Sequence, residues 1–316
     1  MAWVTWRLHR GQAAACAGLI AGVCLALLAL GVPMHAAWAH LPAGCATAGS
    51  GSNCTAPLSD FQARFTGPAE QLLSWLNLLP ALIGAFVGAP LVAREFETGT
   101  WRLAFTQAVP RGRWLTVKIL LLGLGILLLT TSLAAVFGWY RAPLDALQGR
   151  FSPNSYDFEG LSLPALTIFA FAAGVLCGVL IRRTVAAMAV TIAVFLLVRV
   201  PVETWLRPHL QPPLTITSAT ALAGPAGRGD WTLAQGLADA SGHHLSDAAE
   251  TQIMHTAHNA SGPIQDYLSA HGYTYWATIQ PASRFWHFQF LEAALYTALA
   301  LAAATAAVLT LRRHPR

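Results

Sequence analysis

The chain has 316 residues, 55% of them hydrophobic and only 10% charged, with a net charge of +5. Soluble domains carry roughly 25% charged residues, and apolar runs of about 20 residues recur here, so composition excludes a soluble enzyme or nucleic-acid binder in favour of a polytopic membrane protein. The single lysine, Lys118, lies between Val117 and Ile119, whereas a Walker A loop needs G-x-x-x-x-G-K-[ST], so the chain carries no P-loop of its own.

Residues 1–12 place Arg7, His9 and Arg10 beside Trp3 and Trp6, a basic aromatic lead-in suited to a cytoplasmic membrane face. The first apolar run, residues 13–32, is long enough for the ~30 Å hydrocarbon core. Ala37-Trp38-Ala39 also fits a signal-cleavage site, but the run exceeds the ~7–15 residues of a signal core and reads as a span. Residues 33–71 read as a polar loop in which Cys45 and Cys54 are a candidate disulfide if the loop is extracytoplasmic. The second run, 72–92, contains Pro80, Pro90 and the pair Gly84 and Gly88. The third run is 115–139, and the fourth is 161–181 with Gly174 and Gly178. Glycines four apart let helices approach closely in lipid. The tight turn Arg182-Arg183 leads to the fifth run, 184–202, and the sixth is 288–311.

Between runs five and six, residues 204–285 are the only sizeable polar segment. It is rich in Pro and Gly early and partly helical later. Ser246 is an N-cap candidate ahead of Asp247 and Glu250, and a second short helix is expected from Pro263 to Gly272. The expected fold class is all-α integral membrane. Its parts are a bundle over 1–203 with a polar loop at 93–114, an extracytoplasmic segment at 204–285, and span six with a basic tail at 286–316.

Charge sets the orientation. With the N-terminus inside, six spans put the N-terminus, the 93–114 loop, the 182–183 turn and the C-terminus on the cytoplasmic side. Counting Lys118, these hold 12 of the 19 basic residues but only two acidic ones, Glu95 and Glu97. The opposite side holds 7 basic and 12 acidic residues, so the short-loop bias gives an N-in, C-in topology.

Ionisable residues near the spans are the next candidates. Arg199 and Glu203, four apart, can pair along one helix face. Glu292 sits just inside span six, where snorkelling to the outer interface would make its charge cheap. Tyr273, Tyr275, Trp276, Trp286 and His287 resemble an interfacial belt. His243-His244 and His255-x-x-His258 have ligand-like spacing, but no carboxylate or cysteine cluster completes a metal site, so no metal is expected. G-x-S-x-G, H-E-x-x-H and C-x-x-C are all absent, so no catalytic residue is assigned.

The polar loop is the most informative stretch. Leu91, Phe96, Leu103 and Phe105 supply apolar anchors for an amphipathic helix leaving span two, and Thr98-Gly99-Thr100 should end or bend it. On physics alone this is an interfacial helix held by basic anchors. The string REFETGTWRLAFTQAVPRGRWLTVK nevertheless resembles the signature of type-2 ATP-binding-cassette transporter permeases of the exporter class, in a bacterial branch where R-E-[FY]-E-x-G-T follows the second span. The segment Gln280-Pro281-Ala282-Ser283-Arg284-Phe285-Trp286-His287-Phe288-Gln289, with Glu292 beyond it, is similar to the same branch, as are six N-in spans.

That resemblance implies a coupling helix after span two that docks on a separate ATPase subunit, with Arg94, Glu95, Phe96, Glu97, Thr98, Gly99, Thr100 and Arg102 as the contact set. It implies ATP and Mg on that subunit and no cofactor on this chain. It also implies a second permease copy, as a homo- or heterodimer, in a bacterial cytoplasmic membrane. Arg199, Glu203, Arg284 and Glu292 are candidate gating or structural positions. The expected function is export of a hydrophobic or amphipathic substrate. The alternative is a polytopic membrane enzyme or sensor scaffold whose active part lies in 204–285, a segment longer than that of the polysaccharide exporters in the resembled class.

Overall fold

A computed structural model describes residues 2–42, 45, 54–99, 110–151, 155–218, 226–227, 229–260 and 262–313. Among these, six helices are long and apolar enough to cross a membrane: Ala13–Ala39, Leu79–Glu97, Arg111–Gln148, Ser162–Ile181, Thr184–His209 and Ala282–Arg313. They are spans one to six. Spans two and four form the centre, with 72% and 78% of their apolar windows buried, against 17% for span one and 22–28% for the other three.

Glycine explains that centre. A Cβ on Gly84 would stand 2.5 Å from the Ala170 carbonyl oxygen, and one on Gly174 would stand 2.2 Å from the Gly84 carbonyl oxygen. The two glycine pairs read in the sequence therefore face each other, and backbone meets backbone where any side chain would hold the helices apart.

Several elements run further than hydropathy indicates. The Pro201 ring interrupts regular hydrogen bonding, but a π turn, Val202–Leu206, carries span five on to His209. Span two uses the same device, with a π turn at Gly84–Gly88 just ahead of Pro90. Span three extends well beyond 139. Its 38 residues measure about 57 Å, so one helix includes Arg141 and Asp145. The segment 33–71 is not simply a loop. The first helix continues to Ala39, and a further helix, Thr55–Leu76, packs Phe61 against Trp38 at 5.5 Å while Asp60 and Arg64 stay exposed. Residues Cys45 and Cys54, both ahead of this helix, are disulfide-bonded.

The all-α expectation needs one correction. Residues 204–285 contain a three-stranded antiparallel sheet of order β1-β3-β2, formed by β1 (Leu214–Ser218), β2 (Trp231–Ala238) and β3 (Thr274–Gln280). Ala277 is the centre of the register, opposite Ile216 on one side and Gln235 on the other. β-Branched and aromatic residues, Thr-Ile-Thr in β1 and Thr-Tyr-Trp-Ala-Thr-Ile in β3, favour this pleated surface. Two helices, Asp247–Asn259 and Ile264–Ala270, complete the segment, and the Ser246 hydroxyl accepts from the Ala249 N–H at the first N-cap. Tyr275 and Trp276 belong to this sheet. Trp276 stacks on His244 at 3.8 Å and donates to the Leu237 carbonyl.

The sheet is tied to the bundle through buried Gln280, which donates to the Pro208 and Gln211 carbonyls at 3.1 and 2.7 Å. Arg284 reaches the Pro212 carbonyl at 2.7 Å and Gln280 Oε1 at 2.8 Å. Phe151, stacked on Trp231 and edge-on to Phe285 and Phe288, fills the seam.

Candidate functional site

Two polar clusters stand at opposite ends of span two. At its C-terminal end the helix stops where the sequence predicts. Thr98 is the C-cap, its hydroxyl donates to the Arg94 carbonyl at 2.9 Å, and Gly99 takes a φ of +74°. A left-handed residue at this position favours glycine because it has no Cβ. Thr100 and Arg102 lie outside the described residues.

Three residues of the predicted contact set, Glu95, Phe96 and Glu97, have partners on other elements, Glu97 while remaining exposed. Glu95 pairs with Lys118 of span three, a fully buried lysine whose Nζ lies 4.0 Å over the Trp114 ring. Glu97 accepts from both the N–H and the hydroxyl of Thr184, at 3.1 and 2.6 Å, and so caps the start of span five. The Arg182 guanidinium lies 5.2 Å over Phe96, and Arg182 itself is left-handed, with φ 59°, in the turn between spans four and five. A Cβ on Gly112 would meet Arg312 Nε at 2.2 Å, so the end of span six reaches the same place. The exit of span two is therefore fastened to spans three and five, and its mechanical position is shared with four helix ends. Arg94, Glu97 and Thr98 are exposed there.

At the other end lies a buried cluster of four charges. Arg207 grips Glu292 with two hydrogen bonds, at 2.7 and 3.1 Å, and also pairs with Asp157. Arg199 bonds Asp157 at 2.7 Å, with Glu203 at 3.5 Å on its exposed side. Arg199 also donates to the Asn77 carbonyl at 3.0 Å and to its side chain at 2.9 Å, occupying acceptors freed where helix Thr55–Leu76 breaks before span two. The cluster is electrically neutral and joins the break before span two, the turn before span four, span five and span six.

Glu292 is only 1% exposed, so the snorkelling expectation fails: its charge is balanced by a buried guanidinium rather than by solvent. Tyr156 stacks under Arg207 at 4.4 Å. Burial, reinforced by the Glu292 charge, pushes its phenol well above the ordinary range, so it stays neutral. Gln289, also buried, accepts from the Leu161 and Ser162 N–H groups at the start of span four and donates to the Tyr156 carbonyl.

The sequence singles out Arg199, Glu203 and Glu292, and Gln289 only as the end of the segment 280–289, but not Asn77, Asp157 or Arg207. Arg199, Glu203 and Arg207 are four apart in succession. Ending the fifth run at residue 202, just past Pro201, hides that signal.

A further carboxyl group is buried nearby. Glu159 is 4% exposed, with Arg150 3.8 Å away and Asp145, itself bonded to Arg141 at 3.1 Å, as its neighbour. Burial first, and the Asp145 charge second, push the Glu159 carboxyl up to about 9. Among the described residues no group of three or more His, Cys, Asp or Glu is placed to hold a metal ion. His243 lies beside Asp239, and His255 beside Asn259.

Residues 17–207, which run from span one to near the end of span five, match the family described as ABC-2 membrane transporter related. The match covers more than half of the chain and includes the exit of span two, and the chain belongs to this family of multi-span membrane proteins. Such permeases generally lack an ATPase domain and work with an ATPase partner. No curated protein and no solved structure matches the chain.

Proposed function

We propose that the chain is the membrane-spanning permease subunit of an ATP-driven exporter in a bacterial cytoplasmic membrane. A separate subunit hydrolyses ATP with Mg, and two permease copies enclose the path of a hydrophobic or amphipathic substrate. The observation that carries this reading is the family membership of residues 17–207, which include the Arg94–Gly99 exit of span two. The orientation is N-in and C-in, because the bundle end at that exit also gathers Arg111, Arg182, Arg183, Arg312 and Arg313.

In this reading the exit of span two, with Arg94 outward, is the docking surface of the ATPase. Movement imposed there passes to span three through Glu95–Lys118 and to span five through Glu97–Thr184, because a fastened helix end transmits displacement that a free loop would absorb. At the far end the four-charge cluster keeps spans two, five and six together on the outer side.

Purification of the tagged chain from its native membrane in mild detergent tests the proposal. Recovery of a soluble subunit with a Walker A motif, whose ATP hydrolysis changes when the permease is present, is the expected result. A folded chain that brings down no ATPase contradicts it.

A further inference from the structure

Among the described residues, Arg182 is the only one other than glycine whose backbone is left-handed. It ends span four with φ 59° and ψ 10°, and its N–H closes the helix on the Gly178 carbonyl at 3.2 Å. In this conformation a Cβ crowds the following carbonyl oxygen, so helices that stop this way favour glycine or asparagine. The exit of span two follows that rule at Gly99, and the end of span four does not.

Membrane orientation does not ask for arginine at this position. Positive-inside anchoring needs charge in the turn, and Arg183, with an ordinary φ of −122°, supplies it. What Arg182 adds is direction. Its guanidinium is brought 5.2 Å over the Phe96 ring, in the last turn of span two. A phenyl ring offers no lone pair, so the N–H donors of Arg182 are not used up there. Strained residues persist where the surrounding structure holds them in place, and they gather at binding and switch sites.

The charges around Arg182 identify the partner's chemistry. Both carboxylates of the span-two exit are already engaged, Glu95 by Lys118 and Glu97 by Thr184. Arg94, Arg182 and Arg183 are exposed, and among the described residues none of the three has an ion-pair partner. Guanidinium groups take carboxylates as two-pronged hydrogen-bond partners.

We propose that Arg182 and Arg183 extend the docking surface from the exit of span two to the turn between spans four and five, where they bind carboxylates of the ATPase subunit. This rests on the permease reading and adds to it a second contact and an acidic partner surface. Because Glu97 already caps span five at Thr184, a partner gripping this turn holds the ends of spans two, four and five together.

The test uses the full chain in nanodiscs of zwitterionic phosphatidylcholine. The probe is the Walker A subunit that co-purifies with the wild type, produced separately and titrated onto the nanodiscs. Arg182→Gly removes the guanidinium and suits the left-handed backbone, so the turn keeps its shape. It should bind the subunit about tenfold more weakly, and its affinity should fall less steeply as salt is raised. Its thermal unfolding should be no lower than that of wild type. Arg182→Lys keeps the charge and should recover most of the affinity. Unchanged affinity in Arg182→Gly would overturn this inference alone and leave the permease reading standing. A wild type that binds no Walker A subunit would overturn both. An effect of Arg182→Gly that requires phosphatidylglycerol in the nanodisc would assign the turn to an anionic lipid headgroup, and would also overturn the inference. Should Arg182→Gly not fold, Arg182→Asn, which tolerates the same backbone, gives the same readings.

Discussion

Replacing Arg207 with glutamine removes the cation shared by Asp157 and Glu292, whose side chains are 5% and 1% exposed. Arg199 still faces Asp157, but Glu292 is left buried without a countercharge. Removing one partner of a buried pair costs about 3–5 kcal/mol, far more than a surface pair is worth, because the surviving charge keeps its desolvation penalty. At about 2 °C or more per kcal/mol, the midpoint of thermal unfolding in nanodiscs should fall by at least about 6 °C. The double variant Arg207→Gln/Glu292→Gln removes both charges and keeps the Arg199–Asp157 pair. It should be clearly more stable than the sum of the single variants, with a coupling of about 1–3 kcal/mol. Arg207→Gln unfolding within about 2 °C of wild type, or strict additivity in the double variant, would show that the four charges do not act as a unit.

The Glu159 carboxyl, pushed up to about 9 by burial and by Asp145, binds a proton in the folded chain that the unfolded chain loses near its ordinary value of 4.5. Stability therefore falls as pH rises between these two values and levels off above the higher one. Glu159→Gln should cancel that slope, so its midpoint gains on wild type from pH 6 to 9, whereas parallel profiles would refute the assignment. Gly174→Ala places a methyl group 2.2 Å from the Gly84 carbonyl oxygen and should cost about 1–3 kcal/mol in thermal unfolding. Gly123→Ala, in ordinary contact, should cost little, and equal effects would argue against the close crossing of spans two and four. The Cys45–Cys54 bond closes a short loop, and Cys45→Ser should lower stability by about 2–3 kcal/mol. Reductant should bring wild type to the same level, and a variant as stable as oxidised wild type would contradict this.

Six spans were legible because a 20-residue apolar run has few other uses, and the two glycine pairs were legible as close-packing positions. Their pairing with each other was not, since spacing does not name a partner helix. The fifth run was read as ending at 202, short of His209, because a proline such as Pro201 ordinarily interrupts a helix and nothing local announces a π turn that restores it. The sheet in 204–285 was overlooked for a similar reason. Ser246 and Pro263 give sharp helix signals, whereas Leu214–Ser218 and Thr274–Gln280 are short strands whose alternation carries little weight beside long apolar runs. The capping glycine at 99 was visible, because a left-handed terminus demands that residue. The engagement of Glu95 and Glu97 with other spans was invisible, because their partners Lys118 and Thr184 lie 23 and 87 positions away. Glu292 shows the limit of depth arguments: a carboxylate near the interface has water as its cheapest partner until another span brings an arginine to it.

The most direct test of the central claim, that the exit of span two is where an ATPase docks, compares wild type with Arg94→Glu. Arg94 is exposed and stands apart from the pairs Glu95–Lys118 and Glu97–Thr184, so reversing its charge leaves the bundle fastened. The account predicts that an ATPase subunit co-purifies with the wild type and is recovered at about a tenth of that level or less with Arg94→Glu, while thermal unfolding is unchanged. Full recovery of the ATPase with Arg94→Glu would contradict the account.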